Sequence, residues 1–184
     1  KYAMAIDVCG KNYAAFIELP TEKTKIERRV FTGEEIQWLF DNAEIYRAAK
    51  PILIMIFTSM RINELRTLDV NNIYLDKRYM IGGIKTDAGK NRVIPISRKI
   101  EAYIRKYAEI GSLLPTKEGR TMSYSNFHDN LFMPLMEIMG AKHTIHDCRH
   151  TGISLMREAG IVPLYIKLIA GHATNDVTEK VYTH

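Results

Sequence analysis

Cysteine is scarce in this chain of 184 residues: Cys9 and Cys148 stand far apart, and neither belongs to a Cys-x-x-Cys pair. That excludes a disulfide framework and a cysteine zinc site, and it points to reduced thiols in a cytosolic protein. Long hydrophobic runs are missing as well. The longest, Pro51 to Phe57, is far too short to span a bilayer, and no signal-peptide pattern is visible. Internal repeats and low-complexity tracts are absent, and the chain opens on Lys1 without an initiator methionine, which reads as a piece of something longer. Acidic residues are in the minority, 21 against 26 Lys plus Arg, for a net charge of +5. That balance suits a polyanionic partner such as DNA, although many proteins without one share it. What remains is ordinary for a globular protein: 46% apolar and 26% charged residues, enough for one domain with a real core.

The punctuation of the chain divides it early. Residues 1–20 are apolar-rich around Ala3, Met4, Ile6 and Val8, then break at Gly10-Lys11-Asn12 and end at Pro20. The charged run from Thr21 to Arg29 reads as an exposed linker or an N-terminal arm. We therefore expect residues 1–30 to be the end of a preceding domain or an interdomain linker, and 31–184 to be the main domain. Thr32-Gly33-Glu34-Glu35 has the spacing of a capping box and predicts a short helix burying Ile36, Leu39 and Phe40. A second helix, Ile45 to Thr58, is apolar all round in its latter half and belongs in the middle of the core. Ile62, Leu65 and Leu68 then mark a third. Short strands follow at Ile73 to Leu75, Tyr79 to Ile84 and Arg92 to Ile96, with turns at Asp76-Lys77 and Asp87-Ala88-Gly89. Helices resume from Ser97 to Ile110, from Ser123 through Met136, from Thr144 to Gly160 and from Val162 to Ala170, with a last turn or two from Thr174 to Tyr182. The expected class is α+β, mainly α-helical, with a small three-stranded antiparallel sheet.

Chemistry concentrates at His146-Asp147-Cys148-Arg149-His150-Thr151. Thr144 and Asp147 have capping-box spacing, so His146 and Arg149 project at i and i+3 from the first turn of a helix. A histidine beside a guanidinium at a helix N-terminus suits an anion; the plainer alternative is a capping histidine and a solvated arginine. Arg61, directly after the buried helix, shares a face with Glu64, which can orient its guanidinium; a weak surface ion pair is the plainer reading. Lys85, Lys90 and Arg92 decorate the second hairpin, which can lie in a DNA groove or act as a charged sheet edge. His128 and His143 have no chemical partner at a recognisable spacing and read as surface or supporting residues.

Arg61, Lys85, His146, Arg149, His172 and Tyr182 together suit a metal-free phosphoryl transfer to a tyrosine. Fixed guanidiniums stabilise the charge that gathers on the non-bridging oxygens, and a phenol with a pKa of about 10 needs a base and nearby cations to attack. From about Thr32 to His184 the chain resembles the catalytic domain of the tyrosine recombinases, the phage and conjugative-transposon integrases. The resemblance rests on five blocks in the family's order: Ser59 to Leu65 with Arg61 and the acidic Glu64; Ile84-Lys85-Thr86 with Arg92 to Ile96; His146 to Thr151; Ala170-Gly171-His172; and Val181-Tyr182-Thr183-His184. Cys148 and Ala170 stand where leucine is usual; both are packing positions.

That resemblance implies a site-specific recombinase without cofactor or metal. Tyr182 attacks the scissile phosphate to give a 3′-phosphotyrosyl link. Arg61 and Arg149, helped by His172, hold the non-bridging oxygens; Lys85 (or Lys90) protonates the leaving oxygen; His146 handles the tyrosine proton; Glu64 and Asp147 support. It implies recombination sites on double-stranded DNA as partner, a homotetramer on DNA and a monomer as this fragment, a core-binding domain before residue 31, and a cytoplasmic, nucleoid-associated setting. A type IB topoisomerase shares this chemistry, and an accessory DNA-binding protein without catalysis is the rival from another class.

Overall fold

The computed structural model describes Gly10 and residues 29–83 and 91–171. Its first helix, α1 (Gly33–Asp41), begins where the capping box predicts. Thr32 Oγ1 accepts from Glu35 N at 3.2 Å and Glu35 Oε2 accepts from Thr32 N at 2.7 Å, so two amide donors that the helix leaves orphaned are satisfied reciprocally. Ile36 and Leu39 are buried beneath it, and Phe40 packs at the edge of the same core.

The second helix, α2 (Ala49–Thr58), starts four residues later than the apolar pattern from Ile45 predicts. Pro51 explains the shift: without an N–H it fits only the first turn, and a start at Ile45 would have put it in the interior. Ile45 is left 69% exposed in the preceding turn, whereas Ile52 through Ile56 are fully buried. As expected, α2 runs through the middle of the core, with α1, a later helix α4 (Glu101–Ile110) and the functional helix α7 (Ile145–Glu158) packed around it. It ends at Ser59 in the left-handed region, φ 53°, and the chain turns straight into α3 (Ile62–Thr67), with Arg61 at the N-cap position.

A three-stranded antiparallel sheet follows in the order β1 (Ile73–Tyr74), β2 (Tyr79–Gly82) and β3 (Arg92–Pro95), as the sequence predicts. Met80 pairs with Ile94 and Gly82 with Arg92. Along β3 burial alternates: Arg92 and Ile94 face inward while Val93 is 57% exposed. The second turn of the hairpin, Asp87 to Gly89, lies outside the described residues. Ser97 begins a turn rather than the helix itself, and α4 starts at Glu101.

Ser123 caps α5 (Tyr124–Phe127), its Oγ accepting from Asn126 N at 3.2 Å. A π-helical turn over His128–Phe132 leads into α6 (Met133–Met139). The wider turn has a cause in sequence. Pro134 offers no donor and crowds the preceding turn, and Met133 N instead bonds back to the His128 carbonyl. It also lets Phe127 and Phe132, five residues apart, both reach the core at 0% exposure.

The last described helices are α7 and α8 (Pro163–Ala170), which pack on one another, while α8 also lies against β3. The α7 capping box is present: Asp147 Oδ2 accepts from Thr144 N at 2.7 Å and from Thr144 Oγ1 at 2.9 Å. The buried face of α7 is not a simple apolar stripe. Ile153 is inside, but Leu155 and Met156 are only partly covered and Ala159 is exposed; the core-facing surface is made by Cys148, Arg149, Thr151 and Gly152. Gly152 lets α7 lie directly on the end of α2, because a Cβ there would collide with the Ile56 carbonyl oxygen and Ser59 Oγ. Burial likewise pushes the Cys148 thiol far above its ordinary range, which makes it an inert packing group.

The start of α7 is braced from the N-terminal side. His143 Nε2 bonds the Glu35 carboxylate at 3.0 and 3.1 Å, its ring stacks on Phe31 with centroids 3.9 Å apart, and Phe31 N donates to Thr151 Oγ1 at 2.9 Å. His143 thus has a partner 108 residues away that no local spacing reveals. Among the described residues, no helix is long and apolar enough to cross a membrane.

Candidate active-site cleft

Arg61 and Arg149, 88 positions apart in the chain by their numbers, open into one cleft of about 570 Å³ that also receives Asn63, Glu64, Tyr124 and His146. Two rigid pieces of scaffold bring them together. Arg61 leaves the end of the buried helix α2, and α7 rests on that same end through Gly152, in the turn after Arg149.

Arg149 is not solvated. It is 2% exposed, with Nη1 donating to the Ser59 carbonyl at 2.6 Å and Nη2 donating to the Ala170 carbonyl. The left-handed backbone at Ser59 and the C-terminal end of α8 therefore grip the guanidinium from two sides. Arg61 is held through Glu64, whose Oε2 accepts from Arg61 N at 2.9 Å and whose Oε1 accepts from Arg61 Nη1 at 3.2 Å. This is no surface ion pair, because Glu64 is only 3% exposed.

The principal partner of Glu64 is a residue the sequence reading placed elsewhere. Arg92, expected on the outer, groove-facing side of the hairpin with Lys85 and Lys90, is 7% exposed. It bonds both Glu64 oxygens, Nη1 to Oε1 at 3.0 Å and Nη2 to Oε2 at 2.8 Å, and its Nε donates to the Ile169 carbonyl at 2.8 Å. The period-two pattern Arg92, Ile94, Ile96 already carried that signal, since a strand residue two before a core isoleucine shares its face. Tyr124 and Gly152 were missed outright. Lys85, Lys90, His172 and Tyr182 lie outside the described residues. Asp147 is occupied by the Thr144 cap, which fixes the first turn that presents His146 and Arg149.

The chain matches the phage integrase family over residues 29–184. It belongs to that family. Tyrosine recombinase XerA of Pyrococcus horikoshii is 26% identical over 190 residues, covering 94% of this chain and 65% of its own length. The integrase of Staphylococcus phage L54a is 30% identical over 181 residues, covering 79% of this chain and 51% of its own length. The chain therefore spans about half to two-thirds of these curated relatives. Among solved structures, the Tn1549 transposon integrase in complex with circular intermediate DNA superposes with a TM-score of 0.70 at 19% identity, over 100% of this chain and 70% of that one. A lambda integrase dimer bound to a COC′ core site gives 0.70 at 18% identity, over 94% and 67%. The fold is that of the integrase catalytic domains, mainly helical with the small antiparallel sheet.

Within this integrase cleft the charges are deliberately unbalanced. Among the described residues, Glu64 is the single carboxylate that lines the cleft, against the guanidiniums of Arg61 and Arg149. Burial would raise its pKa, but the bonds from Arg92 and from the Arg61 amide, with the charges of both arginines, outweigh burial and hold it below the ordinary carboxylate value. Burial, together with the positive Arg61, lowers Arg149 to about 10, still fully charged at neutral pH. His146 is pushed below its ordinary value by partial burial first, then by the electrostatics of His150, Arg149 and Arg61, which favours the neutral ring. Among the described residues no group of three or more His, Cys, Asp or Glu side chains offers a metal site. The cleft as built is fitted to an anion with two guanidiniums and a neutral imidazole facing it.

The imidazole gives a prediction. If His146 accepts a proton during the reaction, the rate of strand cleavage at saturating DNA should rise to a plateau toward alkaline pH and fall on acidification with an inflection below the ordinary histidine value. The sign follows from the lowered pKa: the neutral, competent form persists to more acidic pH than in a free histidine. A pH series on wild type and His146→Gln tests it; an inflection above that value, or one that survives the substitution, counts against this assignment.

Proposed function

We propose that this chain is the catalytic part of a site-specific DNA recombinase of the integrase type, which cleaves and rejoins strands through a 3′-phosphotyrosyl intermediate. The observation that carries the reading is the convergence of Arg61, Arg149 and His146 on one cleft in a chain of the phage integrase family.

In this mechanism the Tyr182 phenol attacks the scissile phosphorus and His146 takes the phenolic proton. A new O–P bond forms as the bond to the 5′ oxygen breaks, and Lys85 gives that oxygen its proton. Arg61 and Arg149, with His172, face the two non-bridging oxygens, where charge grows in the transition state. Because phosphodiester energy is kept in the tyrosyl ester, the 5′-hydroxyl of a partner strand can reverse the step without ATP. Neutral His146 and the charged, pinned Arg149 are in the protonation states that these roles require.

The partner on this reading is double-stranded DNA carrying recombination sites, and the working assembly is a tetramer bridging two duplexes in the cytoplasm. The start of the family match at residue 29 supports a boundary near residue 30, with residues 1–30 belonging to a core-binding domain or its linker. Relatives solved on DNA, the Tn1549 and lambda integrases among them, favour the same partner. Lys85 and Lys90 on the hairpin remain the candidates for groove contact, with Lys85 the general acid.

The test is an SDS-resistant protein–DNA adduct on a nicked suicide substrate. Wild type is expected to form it and Tyr182→Phe to form none, since phenylalanine has no nucleophilic oxygen. Relaxation of supercoiled plasmid without exchange between two marked sites would instead support the topoisomerase reading. Tight DNA binding without any adduct would support a non-catalytic accessory protein.

A further inference from the structure

Arg92 lies on the strand that leaves the lysine-bearing hairpin, but it reaches into the core and does not line the cleft. Three of its donors reach the partner of one cleft guanidinium and the residue next to a partner of the other. Two go to the Glu64 carboxylate, at 3.0 and 2.8 Å, and that same carboxylate accepts the backbone N and Nη1 of Arg61. The third goes to the Ile169 carbonyl at 2.8 Å, one residue before the carbonyl that receives Nη2 of Arg149. A single buried side chain on β3 thus ties α3, the end of α8 and the strand into one unit. The partners lie 28 and 77 residues away along the chain.

On the recombinase reading above, this arrangement has an electrostatic consequence. A lone buried carboxylate beside Arg61 would hold that guanidinium as a closed ion pair and compete with an incoming phosphate for its donors. With Arg92 taking both Glu64 oxygens in a fork, the carboxylate is neutralised from behind and Arg61 keeps its positive charge for the cleft. The bond to Ile169 fixes the C-terminal turn of α8, and with it the Ala170 carbonyl that aims Arg149. Lysine cannot reproduce this: its ammonium is a compact point charge without the planar fork that spans two carboxylate oxygens and a carbonyl. We infer that Arg92 is a positioning residue for strand cleavage, which neutralises Glu64 and anchors the end of α8 so that Arg61 and Arg149 are free to bind the phosphate.

Arg92→Lys separates this role from a direct DNA contact. The measurements are DNA affinity over a salt series, single-turnover adduct formation at saturating suicide substrate, and thermal unfolding. Positioning predicts cleavage slower by about 10²-fold, the order of loss that small misplacement of reacting groups causes, with affinity within about twofold of wild type and an unchanged salt slope. A phosphate contact predicts the reverse: weaker binding, normal cleavage once DNA saturates and, in the charge-removing Arg92→Ala, a salt slope smaller in magnitude by about one. Either that pattern or a cleavage rate within about twofold of wild type overturns the inference. Should Arg92→Lys melt below the assay temperature, Arg92→Ala assayed with added guanidinium ion takes its place. Adduct restored by guanidinium but not by potassium at equal ionic strength supports the inference, and no restoration overturns it. A wild type that forms no adduct would sink the recombinase reading by itself, and the salt slope would still decide between a buried hub and a phosphate contact.

Discussion

Arg149→Lys is expected to slow formation of the covalent protein–DNA adduct by about 10²- to 10³-fold, the range seen when one fixed donor to a developing oxyanion is removed. The guanidinium is gripped by the Ser59 carbonyl at 2.6 Å and by the Ala170 carbonyl, and those bonds fix the direction of the edge that remains for substrate. A lysine ammonium reaches one of these carbonyls at a time and cannot keep a flat face toward a tetrahedral phosphate. Charge is not the difference, since Arg149, lowered to about 10, is a full cation at neutral pH, as a lysine would be in water. The loss should therefore appear in the chemical step, with DNA affinity changed by less than about tenfold because one phosphate contact among many is altered. Quenched single-turnover cleavage with saturating suicide substrate reads the first quantity and a binding titration the second. A variant that cleaves at the wild-type rate would remove Arg149 from the reaction.

Gly152→Ala carries the largest expected effect on stability. The added methyl would meet the Ile56 carbonyl oxygen and Ser59 Oγ at a distance no real Cβ occupies, and both belong to the rigid, fully buried end of α2. Helix α7 must then move away from the helix against which it packs most extensively. Overpacking of this kind costs about 3 kcal/mol, which for a chain of this size lowers the melting temperature by roughly 6–12 °C. Gly33→Ala is the control: a Cβ there meets nothing within 4 Å, and its change in melting temperature should be small or slightly positive. Since Ser59 supplies the carbonyl that aims Arg149, Gly152→Ala should also cleave more slowly than its stability alone predicts. Scanning calorimetry of both variants decides the matter, and equal melting temperatures would mean the α2–α7 contact is looser than drawn.

The effect is large because Gly152 serves fold and site at once. The same close approach that seals the core brings the start of α7 within reach of the residues that follow α2. In a looser packing Arg149 would lose the Ser59 carbonyl, and Arg61 and His146 would no longer share a cleft.

Much of this was legible beforehand, for reasons that are local. The Thr32/Glu35 and Thr144/Asp147 boxes reveal themselves by spacing, because a cap and its reciprocal partner lie three residues apart on any helix. The buried α2 is announced by its uninterrupted apolar run, and the hairpins by alternation and turn residues. Helix onset was misjudged at Ile45 because hydrophobicity outweighed Pro51, the residue that sets where the first turn must fall. The five blocks identified the family by order and spacing, a property of the chain alone.

What only the folded structure decided is the set of partners. The sequence left Arg149 as either an anion-binding group or a solvated cation at a helix tip; it is a buried cation held by carbonyls 90 and 21 residues away. Arg92 looked like part of a basic hairpin surface and is the counter-charge of Glu64. Local sequence reports the face on which a side chain lies, because helix and strand periods are set by the backbone. It does not report what that face is pressed against, since the pressing is done by elements far along the chain. The buried charges of this cleft are tolerated only because those distant carbonyls and carboxylates arrive together.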